Sequence, residues 1–287
     1  MSSTPIQNKF RVGSIDLTVV SDGTVYGDSG AIFGVVPRSL WEPEVGSPNS
    51  HHRFPQGLNC VLFRSLGKLI LIETGMGNKV SGKFKEHLYP GEYGFLMEDM
   101  ARVGIKPEDV DIVINTHLHA DHCGWNTAVR DGKIVPTFPR ARYWIQQGEW
   151  EAATNPNDRT RGTYFAENLV PVEESGQLYL IDREVDVTPE VKIIPTPGHT
   201  ADHASVVITS GHETAIYLGD VNQHPIQLER YAWTPAHDVL PLLSIETKKK
   251  IVERAIREQA LLICVHHPYP GVGRMTQVSG RRSWQSL

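Results

Sequence analysis

Short apolar runs separated by turn residues recur along the chain. Residues 10–20 and 59–72 are alternately or continuously apolar, and Gly67 interrupts the second run, so both segments predict a meander of β-strands. Further short apolar runs occur at residues 111–115, 191–194, 215–218 and 261–265. Runs of this length are typical of buried strands. The pattern therefore predicts a protein built largely from β-sheets.

Helical periodicity occurs between these runs. Residues 94–103 place apolar side chains on one helical face and stop at Gly104, and residues 147–154 and 245–260 are also predicted to be helical. The lysine run 248–250 in the last helix is expected to face solvent, with Glu246 paired to Lys250. This order of elements fits an α+β fold, an αββα sandwich of two mixed sheets packed face to face with helices on the outer faces.

Residues 22–56 are rich in glycine, proline and serine, and we expect a long loop there. A structureless loop of that length is uncommon unless it is functional. Its apolar residues Phe33, Val36 and Trp41 are unusual for a solvated loop, so they are predicted to wall a substrate pocket. The alternative is that they pack on the core or on a dimer partner.

The highest density of potential metal-binding side chains follows the strand-like run 111–115. Residues 116–122 read Thr-His-Leu-His-Ala-Asp-His, which places three imidazoles and a carboxylate within six residues. On an extended backbone His117 and His119 point to the same side and can bind one ion together. Asp121 and His122 come after the chain has begun to turn and can face a second ion. Imidazole and carboxylate suit zinc, and also iron, manganese or cobalt.

Three other strand-like runs also end in residues that bind metals. His199 follows the rigid turn Pro-Thr-Pro-Gly at 195–198, Asp220 follows Gly219, and His266 follows the run 261–265. A single histidine or aspartate at a strand end is weak evidence. Together with the histidine-rich segment they predict one site, and because its members are spread over half the chain they favour a single domain spanning residues 1–287.

The order of these motifs resembles the metallo-β-lactamase superfamily over nearly the whole chain. The motifs are His-x-His-x-Asp-His at 117–122, Thr-Pro-Gly-His-Thr at 196–200, Gly-Asp at 219–220 and a strand ending in His266. Residues 266–273, His-His-Pro-Tyr-Pro-Gly-Val-Gly, are similar to the ending of methyl parathion hydrolase and related lactonases.

The resemblance implies a cofactor of two divalent metal ions, with Zn²⁺ expected and Fe, Mn or Co as alternatives. Seven residues supply the implied ligands, in two sets of three joined by a bridging carboxylate. The sets are His117, His119 and His199 for the first ion and Asp121, His122 and His266 for the second, with Asp220 between them.

The implied reaction is attack by a hydroxide that bridges the two ions. Asp121 would orient the water or pass its proton to the leaving group. His224 is a candidate proton donor or substrate contact, with a structural role as the alternative. Where many relatives have an aspartate that orients a ligand histidine, this chain has the longer Glu73, which is expected to re-aim or lose that hydrogen bond. Acyl-homoserine lactonases usually carry a tyrosine three residues past the bridging aspartate, where this chain has Gln223.

We therefore expect a metal-dependent hydrolase that acts on a carboxylic ester, with a lactone as the first choice. An organophosphate triester is the close rival, because the same hydroxide can attack phosphorus. An iron-dependent redox enzyme, such as a persulfide dioxygenase, is the alternative from another class. Thioester hydrolysis of the glyoxalase type and β-lactam hydrolysis are disfavoured.

Composition bears on the expected partners and cellular compartment of this protein. The net charge is −5 and few basic residues cluster, so nucleic acid is not an expected partner. No apolar run approaches the ~20 residues of a membrane span, and the start of the chain does not resemble a signal peptide. Three cysteines are an odd number, and free thiols are expected. These features favour a cytoplasmic enzyme, and the relatives suggest a homodimer that takes a small-molecule substrate.

Overall fold

The structure is a computed structural model that describes residues 7–80, 82–87 and 89–287. In chain order its strands are β1 (Lys9–Val12), β2 (Ile15–Asp28), β3 (Arg53–Ser65), β4 (Lys68–Ile72), β5 (Gly91–Tyr93), β6 (Ile112–Ile114), β7 (Thr127–Arg130), β8 (Lys133–Pro136), β9 (Arg142–Gln146), β10 (Leu178–Ile181), β11 (Val185–Thr188), β12 (Val191–Pro195), β13 (Ala204–Ser210), β14 (Glu213–Tyr217), β15 (Leu261–Ile263), β16 (Val272–Val278) and β17 (Arg281–Ser286). The helices are α1 (Ser29–Phe33), α2 (Arg38–Val45), α3 (Gly82–His87), α4 (Leu96–Arg102), α5 (Ala120–Cys123), α6 (Gln147–Thr154), α7 (Val170–Glu174), α8 (Ile226–Glu229) and α9 (Pro241–Glu258).

The strands form two large mixed sheets. The first has the order β1-β2-β3-β4-β6-β9-β10, with β5 paired to β2, and the second runs in sequence from β11 to β17. Most neighbours are antiparallel, but β4, β6, β9 and β10 pair in parallel, as do β14 and β15. The hairpin β7-β8 forms a separate small sheet.

Side-chain alternation along the strands explains the layers. On β4, Ile70 and Ile72 face a core shared by both sheets, whereas Leu69 and Leu71 face a second core that contains Leu96 and Met100 of α4. On β15, Leu261 and Ile263 face the shared core, whereas Leu262 packs with Val252 of α9. Successive side chains of a strand point to opposite faces, so strands that are apolar on both faces must be covered twice. The predicted αββα sandwich is confirmed.

The predicted long loop at residues 22–56 is wrong. Strand β2 continues to Asp28, the helices α1 and α2 follow, and β3 begins at Arg53. The Asp28 carboxylate caps α1 by accepting from the backbone N–H of Ala31 at 3.1 Å, and Gly34, with φ of 55°, ends that helix. Several of the turn residues that suggested a loop, among them Gly34 and Gly46, instead mark the ends of short helices.

The lysine run of α9 also departs from the prediction. Lys248 is fully buried and its ammonium donates to the backbone carbonyl of Trp233 at 2.5 Å, while Lys249, not Lys250, pairs with Glu246 at 2.7 Å. Residue 248 lies on the same face as Val252 and Ala255, because positions four and seven apart share a helical face. Burial lowers the pKa of Lys248 to about 8.

Strand direction brings the loops that carry the candidate metal-binding residues to one end of the sandwich. Strands β4 and β6 are parallel, and β12, β14 and β15 also run in one common direction because β13 is antiparallel to both β12 and β14. The loops that follow the carboxyl ends of these strands therefore gather at common sheet edges, as in other open sheets with parallel neighbours.

The cysteines Cys60, Cys123 and Cys264 are free and buried, as expected. None of the helices in the described residues combines the length and apolarity needed to span a bilayer.

Candidate metal centre

Three histidines from two loops form the first donor group. Nε2 of His117 lies 3.1 Å from Nδ1 of His119, and that same Nδ1 lies 3.0 Å from Nε2 of His199. One nitrogen of each ring lies within 4.8 Å of the others, which is close enough for one ion to be bound by all three. The loop after β6 and the loop after β12 thus meet as the sequence predicted.

A second donor group lies beside the first and consists of Asp121, His122 and His266. The Asp121 carboxylate is 3.8 Å from Nε2 of His122 and 3.7 Å from Nε2 of His266. The short helix α5 turns the chain immediately after His119 and brings Asp121 and His122 toward His266, while the His122 ring stays 4.0 Å from that of His117.

Asp220 joins the two groups through its two carboxylate oxygens. Oδ2 is 3.3 Å from Nε2 of His199, while Oδ1 is 3.3 Å from Nε2 of His122 and 3.1 Å from Nε2 of His266. Gly219 allows this placement, because its φ is 58° and a Cβ there would lie 2.5 Å from Nε2 of His203. All seven predicted ligand residues therefore lie together.

The donor atoms fit metal ions better than they fit one another. Oδ1 of Asp220 and both ring nitrogens of His122 are buried without a hydrogen-bond partner among the described residues. Buried polar atoms rarely stay unpaired, because each costs the free energy of its lost hydration. A cation placed between the two groups would satisfy the Asp220 oxygen and a His122 nitrogen together, and imidazole with carboxylate is a zinc-type donor set.

The electrostatics of the site divide its histidines into two groups. Against the effect of burial, the Asp220 carboxylate raises the pKa of His122, His199 and His266 above the usual value. Burial and the neighbouring histidines lower the pKa of His117 and His119 well below the usual value, which keeps the rings neutral and their lone pairs free. Burial alone would raise the pKa of the Asp220 carboxyl, but the imidazoles of His266, His122 and His199 hold it well below its usual range. Asp220 is therefore an anion at neutral pH.

Glu73 behaves as its extra methylene predicts. Its Oε1 accepts from the backbone N–H of Thr116 at 2.8 Å and lies 3.7 Å from Nδ1 of His122, too far for a hydrogen bond. The side chain is thus re-aimed from the histidine ring to the backbone of the loop that carries His117. Its role is to hold that loop.

Two residues that contact the candidate ligands were not predicted from the sequence. Asp238 places Oδ1 3.1 Å from Nδ1 of His199. His203 is fully buried between the backbone carbonyl of Thr196 and the backbone N–H of Asp220, which donates to its Nε2 at 2.9 Å. His203 could have been found, since it lies four residues after His199, whereas nothing in the sequence near Asp238 marks it.

A cavity of about 400 Å³ opens onto the centre. Five of the seven ligand residues line it: His119, Asp121, His199, Asp220 and His266. The rest of its wall is mixed, and includes Val25, Tyr26, Arg53, Tyr89, Gln223 and His237.

The residues predicted to wall the pocket lie elsewhere. Among the described residues that line the cavity, Phe33, Val36, Trp41 and His224 do not occur. Phe33 and Trp41 are buried and stack at 4.6 Å between ring centroids, and Val36 packs against the same aromatic cluster. His224 lies against Phe33 at 5.7 Å, and burial lowers its pKa to about 4. These side chains form core rather than a substrate surface, because the helices α1 and α2 turn their apolar faces inward.

The family follows from comparison with known proteins. A model of the metallo-beta-lactamase superfamily matches residues 53–267, which include all seven candidate ligand residues. The chain belongs to the metallo-beta-lactamase superfamily. The resemblance found in the sequence is confirmed.

Relatives and solved structures of this superfamily give finer comparisons. An N-acyl homoserine lactonase of Bacillus cereus is 32% identical over 171 residues, which cover 55% of this chain and 61% of that enzyme, so the match spans less than two thirds of the relative. An N-acyl homoserine lactonase of Bacillus thuringiensis is 26% identical over 72% of this chain and 80% of its own length.

Among solved structures, a probable metal-dependent hydrolase from Staphylococcus aureus has a TM-score of 0.86 at 25% identity, covering 97% of this chain and 99% of that one. AidC, a dizinc quorum-quenching lactonase, has a TM-score of 0.81 at 20% identity, covering 97% and 96%, and its likeness concerns the fold alone.

Proposed function

We propose that this superfamily member hydrolyses the ester bond of a lactone with the help of two divalent metal ions. One observation carries the proposal: the two oxygens of Asp220 contact histidines of two separate donor groups, at 3.1–3.3 Å. A carboxylate in that position can bridge two cations, and two-metal sites are used for hydrolysis. The relatives named as N-acyl homoserine lactonases support an ester-type substrate for this chain.

The chain's own residues divide the work. The seven ligand residues would hold Zn²⁺ or a similar ion in two adjacent positions. Divalent ions in such a site activate water and polarise the carbonyl oxygen of a substrate. Asp220 is 2% exposed and is fixed between histidines, so it serves only as a ligand. Asp121 is 17% exposed in its side chain and lines the cavity, so it is the carboxylate that can carry a proton from water to the leaving alkoxide.

The cavity suits a small substrate. Its volume lies within the roughly 300–1,000 Å³ usual for small-molecule sites. Gln223 lines it, with its amide nitrogen 3.4 Å from Oδ2 of Asp220. A carboxamide here can donate a hydrogen bond to a carbonyl oxygen bound beside the centre, where acyl-homoserine lactonases usually have a tyrosine. We therefore expect the lactone to bind with its carbonyl oxygen toward the amide nitrogen of Gln223.

A phosphotriester is the second candidate. It is favoured by residues 266–273, which are similar to the ending of methyl parathion hydrolase. The same ligand set could serve attack on phosphorus. A redox role would need iron at these ligands.

The deciding experiment compares substrates on protein loaded with Zn²⁺, Mn²⁺, Co²⁺ or Fe²⁺. An N-acyl homoserine lactone, an aryl ester, an aryl phosphotriester and a persulfide are assayed with and without a chelator, and Asp121→Asn is the matched variant. We expect the highest kcat/KM for the lactone, loss of turnover with chelator, and a large fall in kcat for Asp121→Asn. A higher kcat/KM for the phosphotriester, or oxygen uptake with the persulfide, would contradict the lactonase proposal.

A further inference from the structure

A buried carboxylate outside the candidate ligand set lies beside the loops that carry the three-histidine donor group. Glu149 is in the first turn of α6 and is 1% exposed. Burial of a carboxylate is costly unless several hydrogen bonds replace its hydration. The proposed reaction assigns this residue no role.

Three hydrogen bonds compensate for the burial of Glu149. Oε1 accepts from the backbone N–H of Leu118 at 3.0 Å and from the hydroxyl of Tyr164 at 3.0 Å. Oε2 accepts from the hydroxyl of Thr200 at 2.6 Å. All three donors lie in loops that form the site or its wall.

Two of these donors are sequence neighbours of the histidines in the three-histidine group. Leu118 lies between His117 and His119, and Thr200 directly follows His199. One carboxylate therefore ties together the two loops that supply the three-histidine donor group. Tyr164 adds a third restraint, because its ring lies 5.1 Å from the ring of His119. Among the described residues, none of these hydrogen bonds goes to the loop of His266, and the turn into α5 separates Leu118 from Asp121 and His122.

We infer that Glu149 is a positioning residue for one of the two metal sites. It fixes the loop of His117 and His119 relative to the loop of His199, and so governs ion affinity at the three-histidine site while leaving the other site unchanged. The inference rests on the ligand assignment of the proposed function but not on its substrate. Groups that orient metal ligands commonly change metal affinity by 10–100-fold when they are removed.

The test measures metal affinity without substrate. Zn²⁺ is titrated into the apoprotein in competition with a chromophoric chelator, which gives two dissociation constants, and His199→Ala identifies the one that belongs to the three-histidine site. Visible absorption of the Co²⁺ form reports ligand geometry. Thermal unfolding of each apoprotein reports folding.

The variants separate positioning from general stability. Glu149→Leu removes all three contacts, whereas Glu149→Gln keeps an acceptor for Leu118 and Tyr164 and a partner for the Thr200 hydroxyl. Asp22→Asn is the matched control, because Asp22 is also a buried carboxylate that accepts several hydrogen bonds, from Met76, Gly77, Leu96 and Trp125, none of them beside a ligand residue.

For Glu149→Leu we expect the three-histidine dissociation constant to rise about 10–100-fold, with an altered Co²⁺ spectrum and little change at the other site. Glu149→Gln should restore both, and Asp22→Asn should lower the unfolding temperature without changing either constant. Should Glu149→Leu fail to fold, Thr200→Val, which removes one contact, should raise the same constant by a smaller factor.

Several outcomes would overturn the inference. They are unchanged affinity in Glu149→Leu or in its substitute Thr200→Val, an equal loss at both sites, or a loss that Asp22→Asn reproduces. Two bound ions without lactone hydrolysis would instead reject the proposed substrate and leave the inference standing. A wild-type chain that binds a single ion would reject both.

Discussion

Asp238 and His199 form a carboxylate–histidine pair, with Oδ1 3.1 Å from Nδ1 of the ring. Both side chains are about 1% exposed. The carboxylate accepts the Nδ1 proton, so the lone pair of Nε2 is left to face the centre. The pair thus favours one tautomer and one orientation of His199, a candidate ligand.

Removal of this carboxylate should weaken metal binding. For Asp238→Ala we expect the affinity of the three-histidine site for Zn²⁺ to fall about 10–100-fold, because the ring can rotate and exchange tautomers. Asp238→Asn keeps an acceptor oxygen and should lose less. Competition with a chelator measures both variants, and equal affinities in Asp238→Ala and wild type would contradict the assigned role.

Asp220 should matter to both ions, because each of its oxygens contacts a different donor group. Asp220→Ala should lower metal content at both positions, whereas His199→Ala and His266→Ala should each affect mainly one. Activity of Asp220→Ala should fall at least about 100-fold. Elemental analysis after gel filtration checks the metal content, and Asp186→Asn on strand β11 is the control. Retention of two ions by Asp220→Ala would exclude the bridging position.

The aromatic cluster beside the site should affect stability rather than substrate binding. Phe33 is fully buried and stacks on Trp41, so Phe33→Ala should lower the free energy of unfolding by about 3–5 kcal/mol. Val35, which is 91% exposed, supplies the control Val35→Ala, which should change little. Urea unfolding gives the stabilities. A large rise in KM of the folded Phe33→Ala enzyme at unchanged stability would return Phe33 to the substrate surface.

Lys248 should make stability depend on pH in the alkaline range. Burial lowers its pKa from 10.5 to about 8 in the folded protein. Between these values the unfolded chain binds more protons than the folded one, so the free energy of unfolding should rise with pH, by at most about 1.4 kcal/mol per unit. Below pH 8 both states are charged and the residue adds no slope.

The measurement is denaturant unfolding of wild type and Lys248→Met at several pH values from 7 to 10.5. The variant should lack the alkaline rise that wild type shows. Lys249→Met, at a residue that faces solvent and pairs with Glu246, is the control and should keep it. Parallel pH profiles for wild type and Lys248→Met would show that the buried ammonium is not responsible.

Much of the fold and of the ligand set could be predicted from the sequence. Apolar strands covered on both faces, such as β4 and β15, occur in the sequence as continuous apolar runs. The candidate ligands follow the ends of β6, β12, β14 and β15. The residues that support the candidate ligands were harder to predict from the sequence. Asp238 and Glu149 carry out their roles through contacts 39 and 31 residues distant along the chain, with His199 and Leu118, and no local spacing marks such pairs.

The segment 22–56 shows most clearly what could not be predicted from the sequence. Glycine and proline predicted a loop, but Gly34, Pro37 and Gly46 mark helix ends and Pro43 lies inside α2. The apolar faces of α1 and α2 are buried against α8 and the strand at Phe54. Phe33 was therefore assigned to a pocket wall when it lies in a core. An apolar side chain in an irregular segment has the same sequence signature in either place, since only its partners in space determine which surface it covers.

Strand periodicity and ligand chemistry are local properties of the chain, so the sequence sufficed to predict the superfamily, the layered architecture and the seven candidate ligand residues. Packing was needed to show that Lys248 is buried, that the re-aimed Glu73 carboxylate finds the Thr116 backbone, and that Glu149 joins the loops of His117 and His199. Those outcomes depend on which distant groups arrive within hydrogen-bonding distance, and this is settled only when the two sheets pack.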